Sequence, residues 1–128
     1  MSIENMKDYY EAAGKNYEYA ADCYKTGYYK TGASAQEAGD KYYDQAHEEA
    51  EKVKQEVNSE ACKEANGYYD KSAEAYDKGD MKAAKEYQEK GDKVMSDAKE
   101  KEKEVDREEQ KAASEARSKM EGLEKTRY

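Results

Sequence analysis

The chain repeats itself. Residues 10–53 lie over residues 62–105 at an offset of 52, without a gap. Identical pairs include Ala13/Ala65, Tyr17/Tyr69, Ala21/Ala73, Tyr24/Tyr76, Gly27/Gly79, Gly39/Gly91, Asp40/Asp92, Ala46/Ala98 and Val53/Val105. Shared Ala means little in so biased a composition, so the paired Gly and Tyr positions carry the repeat. A period of this length marks stacked supersecondary units that bury a face against each other.

Each unit reads as helix, glycine turn, helix. Tyr10, Ala13, Tyr17, Ala20 and Tyr24 step by three and four, which places them on one helix face. Cys62, Ala65, Tyr69, Ser72 and Tyr76 repeat the pattern. Gly27 and Gly79 follow where a left-handed helix end favours glycine. Asp80 can cap the next helix, whose inner face carries Ala84, Tyr87, Gly91, Val94, Ala98 and Val105. In the first unit, Ser34-Ala35-Gln36-Glu37 spells a capping box, so its second helix is expected to begin late. Asn58-Ser59 is the expected joint between units.

The expectation is an all-α fold of two tandem antiparallel helical hairpins. Four main helices are placed at about 3–26, 33–57, 59–78 and 80–121, the last one long and charged. The domains follow as a first hairpin unit over 1–57 and a second, with a charged C-terminal extension, over 58–128. In that extension Ala112, Ala116, Met120 and Leu123 offer a seam for docking the last turns.

Such a fold has an unusual interior. The chain has no Pro, Phe or Trp, one Leu, one Ile and four Val, against fourteen Tyr. Charged residues make up 42% of it and the net charge is −8, a balance that points toward disorder. The regular helical spacing of the tyrosines argues against disorder. Ala lets helices approach closely, while Tyr brings a large apolar ring whose hydroxyl needs a partner. Ala buries little area, so the monomer should be modestly stable, which points toward association.

No apolar run approaches the roughly 20 residues of a membrane span. The first residues, Met1-Ser2-Ile3-Glu4-Asn5, have neither a basic start nor an apolar stretch, so no signal peptide is expected. Cytoplasm is the default location, with unconventional export left open. The acidic balance argues against a nucleic-acid partner, since no basic stripe faces phosphates. Cys23 and Cys62 do not make a disulfide framework.

The stretch Ala75-Tyr76-Asp77-Lys78-Gly79-Asp80-Met81-Lys82-Ala83-Ala84-Lys85, continuing to Gly91, carries a signature. It resembles the helical-hairpin domain of unknown function that often precedes Smr (MutS-related) nuclease domains. Ala73 and Met95 fall in register with that pattern, and the first unit matches more loosely through Ala21, Tyr24, Gly27, Ala33 and Gly39. The core is also similar to a tetratricopeptide repeat, although 52 residues is too long a period for one. These 128 residues hold no Smr domain, so the resemblance implies fold and not nuclease activity.

Catalytic chemistry finds little to stand on. His47 is the only histidine and lacks neighbours at metal-ligand spacing, so it reads as a surface residue. Cys23 aligns with Ala75 and reads as a small buried residue. Gly39-Asp40-Lys41 and Gly91-Asp92-Lys93 lack a phosphate-binding loop and read as close helix contacts. No nucleophile–base constellation can be assembled, so no enzymatic activity and no cofactor or metal are expected.

The tyrosines are more informative. Tyr9-Tyr10, Tyr28-Tyr29, Tyr42-Tyr43 and Tyr68-Tyr69 are adjacent pairs, and neighbours on a helix point about 100° apart. One ring of each pair should pack inside and the other face outward. Tyr17, Tyr24, Tyr69 and Tyr76 recur in both units and are assigned to intrachain packing. Tyr28, Tyr29, Tyr42 and Tyr43 have Asp80, Met81, Val94 and Met95 as counterparts and are assigned to an interface. The expected function is a non-enzymatic scaffolding protein that self-associates through Tyr- and Ala-rich helix faces, extending to a filament. A monomeric protein- or peptide-binding adaptor is the alternative, and an RNA-processing accessory factor is a weaker one.

Overall fold

The computed structural model describes residues 2–126. Three helices account for almost all of them: α1 (Ile3–Lys25), α2 (Tyr29–Asp77) and α3 (Met81–Thr126). No strand occurs among the described residues. The all-α class therefore holds, with three helices in place of the expected four.

The missing break is the one placed at Asn58-Ser59. Both residues lie inside α2, which runs 49 residues without interruption. Asn and Ser cost at most about 0.7 kcal/mol each in a helix interior, far less than the Pro or Gly that would force a turn. The outgoing arm of the first repeat unit and the incoming arm of the second are therefore one helix.

The late start of the second helix is also corrected. Gly32 N–H donates to the Tyr28 carbonyl at 2.9 Å, the first bond of a helix under way by Tyr29. Ser34 and Glu37 lie within its opening turns and do not cap it. Gly32 is no breaker there: a methyl on it would stand 3.1 Å from Cε1 of Tyr24, so its bareness admits that ring.

Both turns use one device. Gly27 and Gly79 take φ of 85° and 82°. Gly27 N–H donates to the Tyr24 carbonyl and Tyr28 N–H to that of Cys23; Gly79 donates to Tyr76 and Asp80 to Ala75. This paired closure satisfies the last helical carbonyls, and only glycine enters the left-handed region without strain. Asp80 then caps α3 by accepting from Ala83 N–H at 3.1 Å, and Ser2 caps α1 by accepting from Asn5 N–H.

The chain forms two compact units, divided differently from the 1–57 and 58–128 expected. One takes the residues up to Val53 together with those from Val105 onward; the other is Lys54–Glu104. The charged C-terminal extension thus belongs with the first repeat, not the second. It brings Val105, Ala113, Ala116 and Leu123 to a core that also holds Met6, Tyr10, Ala13, Tyr17 and Ala20 from α1, with Ala35, Ala46 and Ala50 from α2. Among the described residues of the Lys54–Glu104 unit, the buried hydrophobic side chains are all alanines: Ala61, Ala65, Ala75, Ala84 and Ala98.

Candidate functional site

The identical positions of the repeat converge on one contact. Tyr17 lays its ring over Gly39, where a methyl would stand 2.7 Å from its Cε1, and its hydroxyl donates to Oδ1 of Asp40 at 2.6 Å. Tyr69 does the same over Gly91, at 2.6 Å, and donates to Oδ1 of Asp92 at 2.6 Å. The Gly-Asp pairs are therefore close-approach sites, with the aspartate satisfying the phenol that the glycine admits. Burial first, then the Asp40 hydrogen bond, raises the Tyr17 pKa. The Asp92 hydrogen bond first, then burial, raises that of Tyr69.

Tyr24 and Tyr76 part company. Tyr24 rests on Gly32 and donates to Oε1 of Gln36 at 3.2 Å. The counterpart of Gly32 is Ala84, which is buried and accepts at its carbonyl from the Ser72 hydroxyl at 2.6 Å. Tyr76 is left 63% exposed. Its assignment to intrachain packing is corrected.

In the first unit Glu109 gathers partners from two other helices. Its Oε2 accepts from the Tyr10 hydroxyl at 2.7 Å and lies 3.0 Å from Nδ1 of the exposed His47. Burial, then this carboxylate, raises the Tyr10 pKa well above the ordinary phenol value. Nearby, Lys7 pairs with Glu108 at 2.9 Å and Lys119 pairs with Glu18. The hydrogen bond and charge of Glu108 raise the Lys7 pKa, and Lys7 lowers that of Glu108. An open groove of about 440 Å³ lies between α1 and the C-terminal part of α3, floored by Tyr10, Gly14, Ala112 and Ala116. His47 thus sits at the surface, as a structural tie. No group of His, Cys, Asp and Glu suited to a metal ion occurs among the described residues. Cys23 is buried and Cys62 exposed.

The four interface candidates do not behave alike. Tyr28 and Tyr29 stand 68% and 66% exposed beside the first turn. Tyr42 is partly exposed and stacks on Tyr9, with ring centroids 6.4 Å apart. Tyr43 turns inward, edge-on to Tyr10 at 5.1 Å, and packs against the core. Its interface assignment is corrected: absence of a Tyr at the equivalent Met95 shows only that a different apolar group serves there. Sequence reasoning missed Tyr19 and Met81, both exposed. Met81 is the repeat partner of Tyr29, a correspondence already visible in the alignment. Both turns therefore carry large apolar side chains in solvent.

No protein-family model, no curated protein and no solved structure matches this chain.

Proposed function

We propose that this protein is a non-enzymatic helical scaffold that associates with copies of itself through exposed aromatic faces. The observation carrying the reading is the exposure of Tyr28, Tyr29, Tyr76 and Met81 at the two glycine turns. Large apolar side chains clustered in solvent are unusual for a monomer and mark interaction sites. Tyr suits such a role, since its ring gains area and its hydroxyl tolerates water while unpaired. Tandem helical units extend by stacking unless symmetry closes them, which makes a filament one natural product.

Sedimentation of the intact chain against Tyr28→Ser with Tyr42→Ser tests this. The double variant should keep its helicity by circular dichroism and form smaller particles. Unchanged particle size would remove these rings from the interface, and a wild-type monomer at high concentration would end the reading. A second reading, a monomeric adaptor, draws on the open groove beside Gly14. Its small-residue floor and rims of Lys and Glu suit a peptide of mixed charge. Peptide-dependent protection of Lys7 and Lys119 from amine modification, in a chain that stays monomeric, would favour it.

A further inference from the structure

The turn between α2 and α3 is a three-residue interruption, Lys78-Gly79-Asp80, between helices of 49 and 46 residues. Gly79 takes the left-handed backbone that opens it, at φ 82°. The flanking Ser72-Ala73-Glu74-Ala75-Tyr76-Asp77 and Met81-Lys82-Ala83-Ala84 contain neither Pro nor Gly, so the residues on either side of the turn suit a continuous helix. Straightening the turn would exchange its closing hydrogen bonds and the Asp80 cap for ordinary helical ones.

We propose that two copies of this chain exchange the whole of α3 by opening this turn, forming a dimer in which α2 and α3 of each copy run on as one helix. The inference rests on the self-association reading above and gives it a specific geometry. In the closed chain α3 folds back antiparallel on α2, joined by Tyr69–Asp92 and by Ser72 with the Ala84 carbonyl. Two straightened copies lying antiparallel remake each of these contacts between chains. The C-terminal part of α3 from one copy then supplies Val105, Ala113, Ala116, Leu123 and Glu109 to the first unit of the other. Only the turn itself changes.

Tyr76 and Met81 distinguish this exchange from a neutral rearrangement. They lie three residues before Gly79 and two after it, and both are largely exposed in the closed chain. In the exchanged dimer they flank the crossing point and meet their counterparts from the other copy. Opening at Gly27 would take Met6, Tyr10 and Tyr17 out of the core. Opening at Gly79 releases contacts among alanines and half-exposed rings in the Lys54–Glu104 unit and takes Val105, Ala113, Ala116 and Leu123 out of the first unit's core until α3 of the other copy restores them. Exchange of an identical element is a low-cost route to dimers, and a short hinge is where it occurs.

The test places a covalent reporter where exchange changes its partner. A methyl on Gly14 would stand 3.8 Å from Cα of Ala116, so Gly14→Cys with Ala116→Cys, with Cys23→Ala and Cys62→Ser, brings two thiols within bridging range. The chain is unfolded, refolded at high concentration, separated by size, oxidised and run without reductant. The monomer fraction, bridged within one chain, calibrates the readout. Dimer fractions should yield covalently linked pairs. Adding Gly79→Ala, which disfavours the left-handed turn and favours the straight helix, should raise the dimerisation constant at least about tenfold. Inserting Gly-Ser-Gly after Gly79, which relaxes the turn, should lower it, so the prediction survives a poorly folding Gly79→Ala. A dimer whose bridges stay within single chains overturns exchange and leaves association through exposed faces standing. Monomer alone in every variant overturns both.

Discussion

Tyr17 and Tyr69 hold equivalent places in the repeat, over equivalent glycines, with hydroxyls on equivalent aspartates. Yet Tyr17 is fully enclosed and Tyr69 is only half-buried. The difference is a third helical layer. In the first unit the part of α3 beyond Val105 lies on α1 and α2, so a two-helix contact becomes an interior with Met6, Tyr10, Tyr17 and Leu123 inside. In the Lys54–Glu104 unit two helical arms meet alone and bury alanines. The sequence is adapted to each outcome. At the repeat offset from Met6, Tyr10 and Gly14 stand Asn58, Cys62 and Asn66, all of them exposed. A helix pair thus supplies a seam, and only a third element makes a seam into a core.

The comparison breaks most easily at the paired tyrosines. Tyr17→Ala should destabilise by about 3–5 kcal/mol, as removal of a buried aromatic does. Tyr69→Ala should cost well under half of that, because solvent already reaches its ring. Urea unfolding of both variants decides; equal losses would mean that the third layer adds nothing to the contact.

Next in size is the turn. Gly79→Val places a β-branched side chain at φ 82°, where even an unbranched residue costs about 1–2 kcal/mol, so a loss above 2 kcal/mol is expected. Thermal melting in dilute solution measures it, and an unchanged midpoint would show that the turn can close without its left-handed residue.

The glycines under the rings sharpen the contrast further. Gly39→Ala meets the enclosed Tyr17 ring, and overpacking of about 1–3 kcal/mol is offset by about 1 kcal/mol of helix propensity, leaving a net loss. Gly91→Ala meets a half-buried ring that can shift toward solvent at the cost of its bond to Asp92, and should lose less. A larger loss at Gly91 than at Gly39 would reverse the reading of which ring is held.

The smallest effect at neutral pH is the one that grows with alkali. Tyr10 and Tyr17 have folded pKa values raised above the ordinary phenol value of about 10, by burial and by carboxylate acceptors. Above that pH the unfolded chain releases these protons while the folded one keeps them, so stability falls as pH rises. Below it their contribution is fully present. Tyrosinate absorbance and helicity, followed together, should show these two ionising with the loss of structure.

Much of this was legible in residues. The glycine turns at Gly27 and Gly79, the Asp80 cap and the close contacts at Gly39 and Gly91 follow from spacing and turn chemistry, which are local. The expected join at Asn58-Ser59 is absent because two mildly unfavourable residues at a repeat boundary resemble a break without being able to force one. Tyr43 and Tyr76 were misassigned for a different reason. Repeat equivalence predicts a shared backbone position, but burial depends on whether a neighbour is Gly32 or Ala84, or on which ring lies alongside.

The sequence by itself determined that this chain is helical, where it turns and which residues face the first seam, because helix periodicity, capping and left-handed glycine are settled within a few residues. Only the tertiary structure decided that the outgoing and incoming arms fuse into α2, that the end of α3 joins the first unit, and which equivalent tyrosine is enclosed. Those outcomes depend on side chains from distant parts of the chain arriving at one place, and a charged run ending in Ala113, Ala116 and Leu123 does not say whose surface it will cover.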